Sequence, residues 1–64
     1  MSEGPELMTA DEVAQLLRVP VATVKHWRAV GVGPRGHRIG KHIRYARTDV
    51  LAWLEKRADP RPAA

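Results

Sequence analysis

The sequence predicts a small, mainly α-helical domain with one β-hairpin: two short helices in tandem, the hairpin, then a closing helix. Three observations carry this. Helix-period apolar stripes occur three times, at Val13-Leu16-Leu17, Val24-Trp27 and Val50-Trp53-Leu54. Glycine and proline separate the periodic segments. Between the second and third stripes lies His37-Arg-Ile-Gly-Lys-His-Ile-Arg-Tyr45, which alternates around Gly40-Lys41 as a hairpin does. At 64 residues there is room for one domain only. A domain this short buries about 60% of the surface of its unfolded chain, so the core must be small and tight. A doubly wound sheet, a barrel and an enzyme with a deep enclosed pocket are excluded.

The first helix is expected at Ala10–Leu17. Thr9-Ala-Asp-Glu12 forms a capping box: the Thr9 hydroxyl accepts the N–H at Glu12, and the Glu12 carboxylate reaches back to the N–H of Thr9. Met8 before the cap and Val13 at the fourth helical position fit a hydrophobic staple. Asp11 and Glu12 suit the positive end of the helix dipole. Arg18-Val19-Pro20 is a short connection, because Pro20 disfavours a helical Val19 and presets φ for the next helix.

The second helix is expected over residues 21–30, ended by Gly31 and Gly33 and followed by Pro34. In the hairpin, a three-residue loop of residues 40–42 pairs Ile39 with Ile43. It puts His37, Ile39, Ile43 and Tyr45 on a core face, with Arg38 and Arg44 on the other. That register is preferred to a two-residue Gly40-Lys41 loop, which splits Ile39 and Ile43 between faces. The closing helix is expected over residues 47–56, with Asp49 in its first turn and Leu51 off the apolar face. Leu16, Leu17, Val19, Val24, Trp27, Ile43, Val50, Trp53 and Leu54 are the expected core. Residues 1–6 and 58–64, rich in proline, glycine and alanine, are read as disordered, leaving a folded domain over 7–57.

Charge placement bears on function. Net charge is +4 with a sequence pI near 10.4. No acid lies between Val13 and Thr48, a window holding Arg18, Lys25, Arg28, Arg35, Arg38, Lys41, Arg44 and Arg47. Shuffling the charges would leave that window wholly basic about 0.4% of the time, so the bias is patterning and not composition. A continuous positive surface points to nucleic acid. Cysteine is absent, so neither disulfides nor a thiolate zinc site is available. His26, His37 and His42 stand in a positive neighbourhood, which disfavours a metal. No glycine-rich phosphate loop or serine–histidine–acid set is present, and no catalysis, cofactor or small-molecule ligand is expected. No apolar run approaches the ~18 residues of a membrane span, and no signal peptide is evident. A soluble, cytoplasmic, nucleoid-associated protein without membrane contact is expected.

Two short helices, a basic hairpin and a covering helix make a helix-turn-helix with a wing. The second helix is narrow enough for the major groove, where base edges carry a distinguishable pattern. Phased on Val24, it directs Lys25 and His26 outward to bases or phosphates. Val21 and Ala22 can touch a thymine methyl, and Thr23 a phosphate near the positive helix end. Arg18, Arg28 and Arg35 suit phosphates, which take half to two-thirds of such hydrogen bonds. Arg38, Lys41, His42 and Arg44 surround the hairpin tip as wing contacts. Trp27, Trp53 and Tyr45 are read as core and not as stacking platforms.

The stretch Leu7-Met-Thr-Ala-Asp-Glu-Val-Ala-Gln-Leu-Leu-Arg-Val-Pro-Val-Ala-Thr-Val-Lys-His-Trp27 resembles the opening of excisionase-type and MerR-like winged helix-turn-helix domains. Arg38-Ile-Gly-Lys-His-Ile-Arg-Tyr45 and Thr48-Asp-Val-Leu-Ala-Trp-Leu54 resemble the wing and closing helix of the same group. The resemblance implies a double-stranded DNA binder without enzymatic activity. It implies that Ala14 is the small residue where the first two helices touch. It favours an excisionase, a recombination directionality factor, working with a site-specific recombinase (integrase) or with copies of itself on DNA. A small MerR-like transcription regulator is the alternative, and such regulators usually add a dimerisation helix and an effector pocket. A protein–protein adaptor using the same fold is the reading from another class. Two departures stand out: Arg18 sits where the family's tight turn usually has glycine, and Pro20 where a capping Ser or Thr is usual.

Overall fold

A computed structural model describes residues 6–59. The disorder expected of residues 1–5 and 60–64 lies outside the described residues. The elements run β1 (Leu7–Met8), α1 (Ala10–Leu17), α2 (Val21–Val30), β2 (His37–Ile39), β3 (His42–Ala46) and α3 (Arg47–Lys56). The three strands form an antiparallel sheet in the order β1-β3-β2.

The capping box forms as its residues dictate. The Glu12 N–H donates to Thr9 Oγ1 at 3.1 Å, and the Thr9 N–H donates to Glu12 Oε1 at 2.9 Å. Met8 and Val13 bracket this cap and are both buried in the core. At the other end of α1, Arg18 takes the left-handed conformation at φ 59°, ψ 47°. The following Val19 N–H donates to Ala14 O at 3.0 Å, which closes the helix end. Pro20 then opens α2 with no side-chain cap. Its carbonyl accepts the Thr23 N–H at 2.9 Å, so the helix starts on backbone bonds alone. Left-handed Gly31, at φ 83°, ends α2.

Two features of the sheet depart from the sequence expectations. The first is the hairpin register. Ile39 pairs with His42, Arg38 with Ile43 and His37 with Arg44, so the loop is the two-residue Gly40-Lys41 and not residues 40–42. Gly40 has φ 63° and Lys41 no positive φ, the pattern of a type II′ turn, whose twist matches that of paired strands. Ile43 and Tyr45 therefore face the core, whereas Ile39 joins His37, His42 and Arg44 on the opposite face. Ile39 is 48% exposed because the tip projects beyond the core and needs no apolar cover.

The second is β1, whose residues carry no strand signal of their own beyond the staple at Met8. Leu7 pairs with Ala46 and Met8 with Tyr45, adding a third strand beside β3. The Arg47 N–H donates to Glu6 O at 2.8 Å and extends this seam.

The core is a cluster of Met8, Val13, Ala14, Val24, Tyr45 and Val50, ringed by Leu16, Leu17, Val19, Val21, Trp27 and Ile43. Val13, Val24 and Val50 are its most fully enclosed side chains. Trp53 lies at the flank, its ring centroid 5.2 Å from that of Trp27 and the rings tilted by 46°. Arg57 lies over the Trp53 ring at 5.4 Å, a distance at which a guanidinium is attracted to an indole face. Leu54 is not core: it is 46% exposed, since the last turns of α3 run past the sheet.

Candidate nucleic-acid interface

The interface is built outward from Val24. With Val24 buried, the 100° step of a helix turns Ala22, His26 and Ala29 directly away from the core and Lys25 to the side. Ala22, Lys25 and His26 are exposed. Thr23 is half-buried. Val21 is half-buried and packs against the core, which leaves only part of it for a ligand.

Arg28 lies on a shoulder of α2 near the core, and its long side chain carries the charge to the hairpin. Its Nη1 stands 3.1 Å from the point a Cβ on Gly36 would occupy, and the Tyr45 ring edge stands 3.2 Å from the same point. The bare glycine thus lets the Arg28 guanidinium cross the base of the hairpin. Sequence periodicity carries no signal of this contact, because it joins residues from different elements. Arg18, in the turn before α2, and Arg35, in the loop after it, are both exposed.

In the hairpin, Lys41 and His42 are exposed at the tip. Arg38 is exposed, and its Nε donates to Gly40 O at 3.3 Å across the turn. Arg44 is half-buried, and its Nη1 donates to Ile43 O at 2.9 Å. The observed register puts Arg38 and Arg44 on opposite faces of the hairpin, not together as the three-residue loop required. The wing thereby carries positive charge on both faces.

The base of the hairpin is tied to α3 by His37 Nε2 and Asp49 Oδ2, 3.2 Å apart. Sequence alone gives no sign of this pair, since Asp49 reads there only as a helix-dipole partner. A second ion pair among the described residues, Arg47 to Glu6 at 3.9 Å, sits at the β1 seam. Neither pair uses a candidate contact residue. Lys25, Arg18, Arg28, Arg35, Arg38, Lys41 and Arg44 make no ion pair with an acid among the described residues. Among those residues, too, no three His, Cys, Asp or Glu side chains gather as metal ligands. No helix among them is long and apolar enough to cross a membrane.

A tight two-helix turn, an outward-facing second helix and an adjoining two-stranded wing define a winged helix-turn-helix DNA-binding domain. The family model described as a helix-turn-helix domain matches residues 7–58, and the chain belongs to that family. No curated protein and no solved structure matches the chain.

Proposed function

We propose that this DNA-binding protein reads a specific duplex with α2 in the major groove and steadies itself on the backbone with the turn and the wing. The observation that carries this reading is the set of uncompensated bases on α2 and the hairpin. Lysine and arginine side chains left without acids are matched by phosphates, whose condensed counterions they release. Lys25 and His26 have the donors to read base edges. Ala22, with the exposed part of Val21, offers apolar contact to a thymine methyl. Thr23, Arg18, Arg28 and Arg35 are assigned to phosphates. Arg38, Lys41, His42 and Arg44 are assigned to the backbone or groove beside the major-groove site.

The likeness of residues 7–27 and 38–54 to excisionase-type domains favours a directionality factor that acts in the cytoplasm on the nucleoid. In this role the protein does no chemistry. It arranges DNA for a site-specific recombinase, alone or with further copies of itself beside it.

A mobility-shift titration of a ~30-base-pair duplex against salt tests the DNA reading. Three phosphate-directed arginines alone give a slope of log affinity against log salt of about −2.7, and further contacts steepen it. A flat salt dependence refutes the reading. Selection from a random-duplex library yields the preferred site. Excision by a recombinase on DNA carrying that site, with and without this protein, then tests the recombination role.

A further inference from the structure

Arg18 occupies a backbone conformation that works against it. It is the one residue other than glycine with positive φ among the described residues, at φ 59°, ψ 47°. There the Cβ of an L-residue crowds the carbonyl, a strain that glycine avoids. Nothing within the fold explains the side chain. It is exposed and makes no hydrogen bond or ion pair among the described residues. The turn's backbone bonds, Arg18 N–H to Gln15 O at 3.3 Å and Val19 N–H to Ala14 O at 3.0 Å, would form equally with glycine.

A strained residue whose side chain does nothing for the fold points to a role outside it. We propose that Arg18 is held in the turn for its guanidinium, which anchors a DNA phosphate beside the groove that α2 enters, so that stability and binding oppose each other at this position. The inference rests on the DNA-binding reading above and adds to it a trade-off located at one residue. A guanidinium suits this anchoring because it is always charged and offers a fork of donors matched to phosphate oxygens. The turn is fixed to both helices by backbone bonds, so an anchor here fixes where α2 starts relative to the duplex. Phosphate contacts set register in this way without reading sequence.

The test uses the full chain and a mixed-sequence ~30-base-pair duplex, since a phosphate contact is indifferent to sequence. Arg18→Gly should raise Tm by roughly 2–6 °C, the relieved strain less the added freedom of the unfolded chain. The same variant should weaken duplex binding about 5–10-fold and make the salt slope shallower by about 0.9. Arg18→Ala keeps the strained backbone, so it should lose affinity with no gain in Tm. Arg18→Lys should retain most of the salt slope. An Arg18→Gly protein that is more stable and binds with unchanged affinity and slope overturns the anchor. A fall in its Tm overturns the backbone argument. Failure of the wild-type protein to bind duplex at all is a different result, and it removes the DNA reading itself.

Discussion

Gly31 and Gly33 share a positive φ and differ in surroundings, so they allow one packing contact to be weighed. Their φ values are 83° and 85°. A Cβ built on Gly31 meets nothing within 4 Å, whereas one on Gly33 stands 2.9 Å from Trp27 Cβ and 3.1 Å from Trp27 Cε3. Alanine at either position incurs the penalty of a positive φ, about 1–2 kcal/mol. Only at Gly33 does it also press on Trp27. The nearest atom there is Cβ, the stem of the indole, and it can retreat only if α2 itself moves. Overpacking of that kind costs about 1–3 kcal/mol. Gly31→Ala should therefore cost about 1–2 kcal/mol and Gly33→Ala about 2–5 kcal/mol. In a domain of this size each kcal/mol is worth roughly 4–8 °C in Tm, so the second variant should melt well below the first or fail to fold. Thermal and urea melts followed by circular dichroism and tryptophan fluorescence measure both. Equal losses would show that the loop moves away from Trp27 at no cost, and would refute the tight seat assigned to the indole.

Other outcomes follow from the same structure. Val50→Ala, at a fully enclosed site, should cost about 2–3 kcal/mol, while Leu54→Ala, on the exposed end of α3, should cost under about 1 kcal/mol; urea denaturation separates them. Thr9→Ala removes the hydroxyl half of the capping box and should cost about 1 kcal/mol in the same assay. Lys25→Ala and His26→Ala should change which sequences are recovered from a random-duplex selection, whereas Arg28→Ala should weaken all duplexes alike and reduce the salt slope by about one. Altered preference in Arg28→Ala alone would mean that α2 meets the groove with its Arg28 shoulder.

The helices are legible because their signals are local. Thr9 and Glu12 mark one start within four residues, Gly31 marks an end by its own conformation, and Val24 sets the phase that turns His26 outward. The sheet is harder to read because its information is shared between distant residues. Nothing near Leu7 says that it pairs with Ala46. The hairpin register differs from expectation for a related reason. Cover for Ile39 argues for one loop and the turn preference of Gly40 for the other, and because the tip lies beyond the core the turn decides. Leu54 satisfies helical periodicity and still lies outside the core, since periodicity gives the direction of a side chain and not what stands opposite it. At the site, the outward direction of Lys25 and His26 follows from phase. The crossing of Arg28 over Gly36 requires the fold.

The pairing of Leu7 with Ala46 also constrains the order in which the molecule assembles. The contacts of α1 with α2, and of β2 with β3, lie between near neighbours in sequence and close small loops. β1 has no partner until β3 exists, and joining them encloses nearly forty residues in a single loop. During synthesis the first strand must therefore wait while the two helices and the hairpin emerge. Mutations at Leu7 are expected to speed unfolding far more than they slow folding, because its pairing with Ala46 is made late. The earliest residues of the fold thus act as its latch, and a chain cut between residues 31 and 41 would carry α1 and α2 but lack β3, the strand to which β1 fastens.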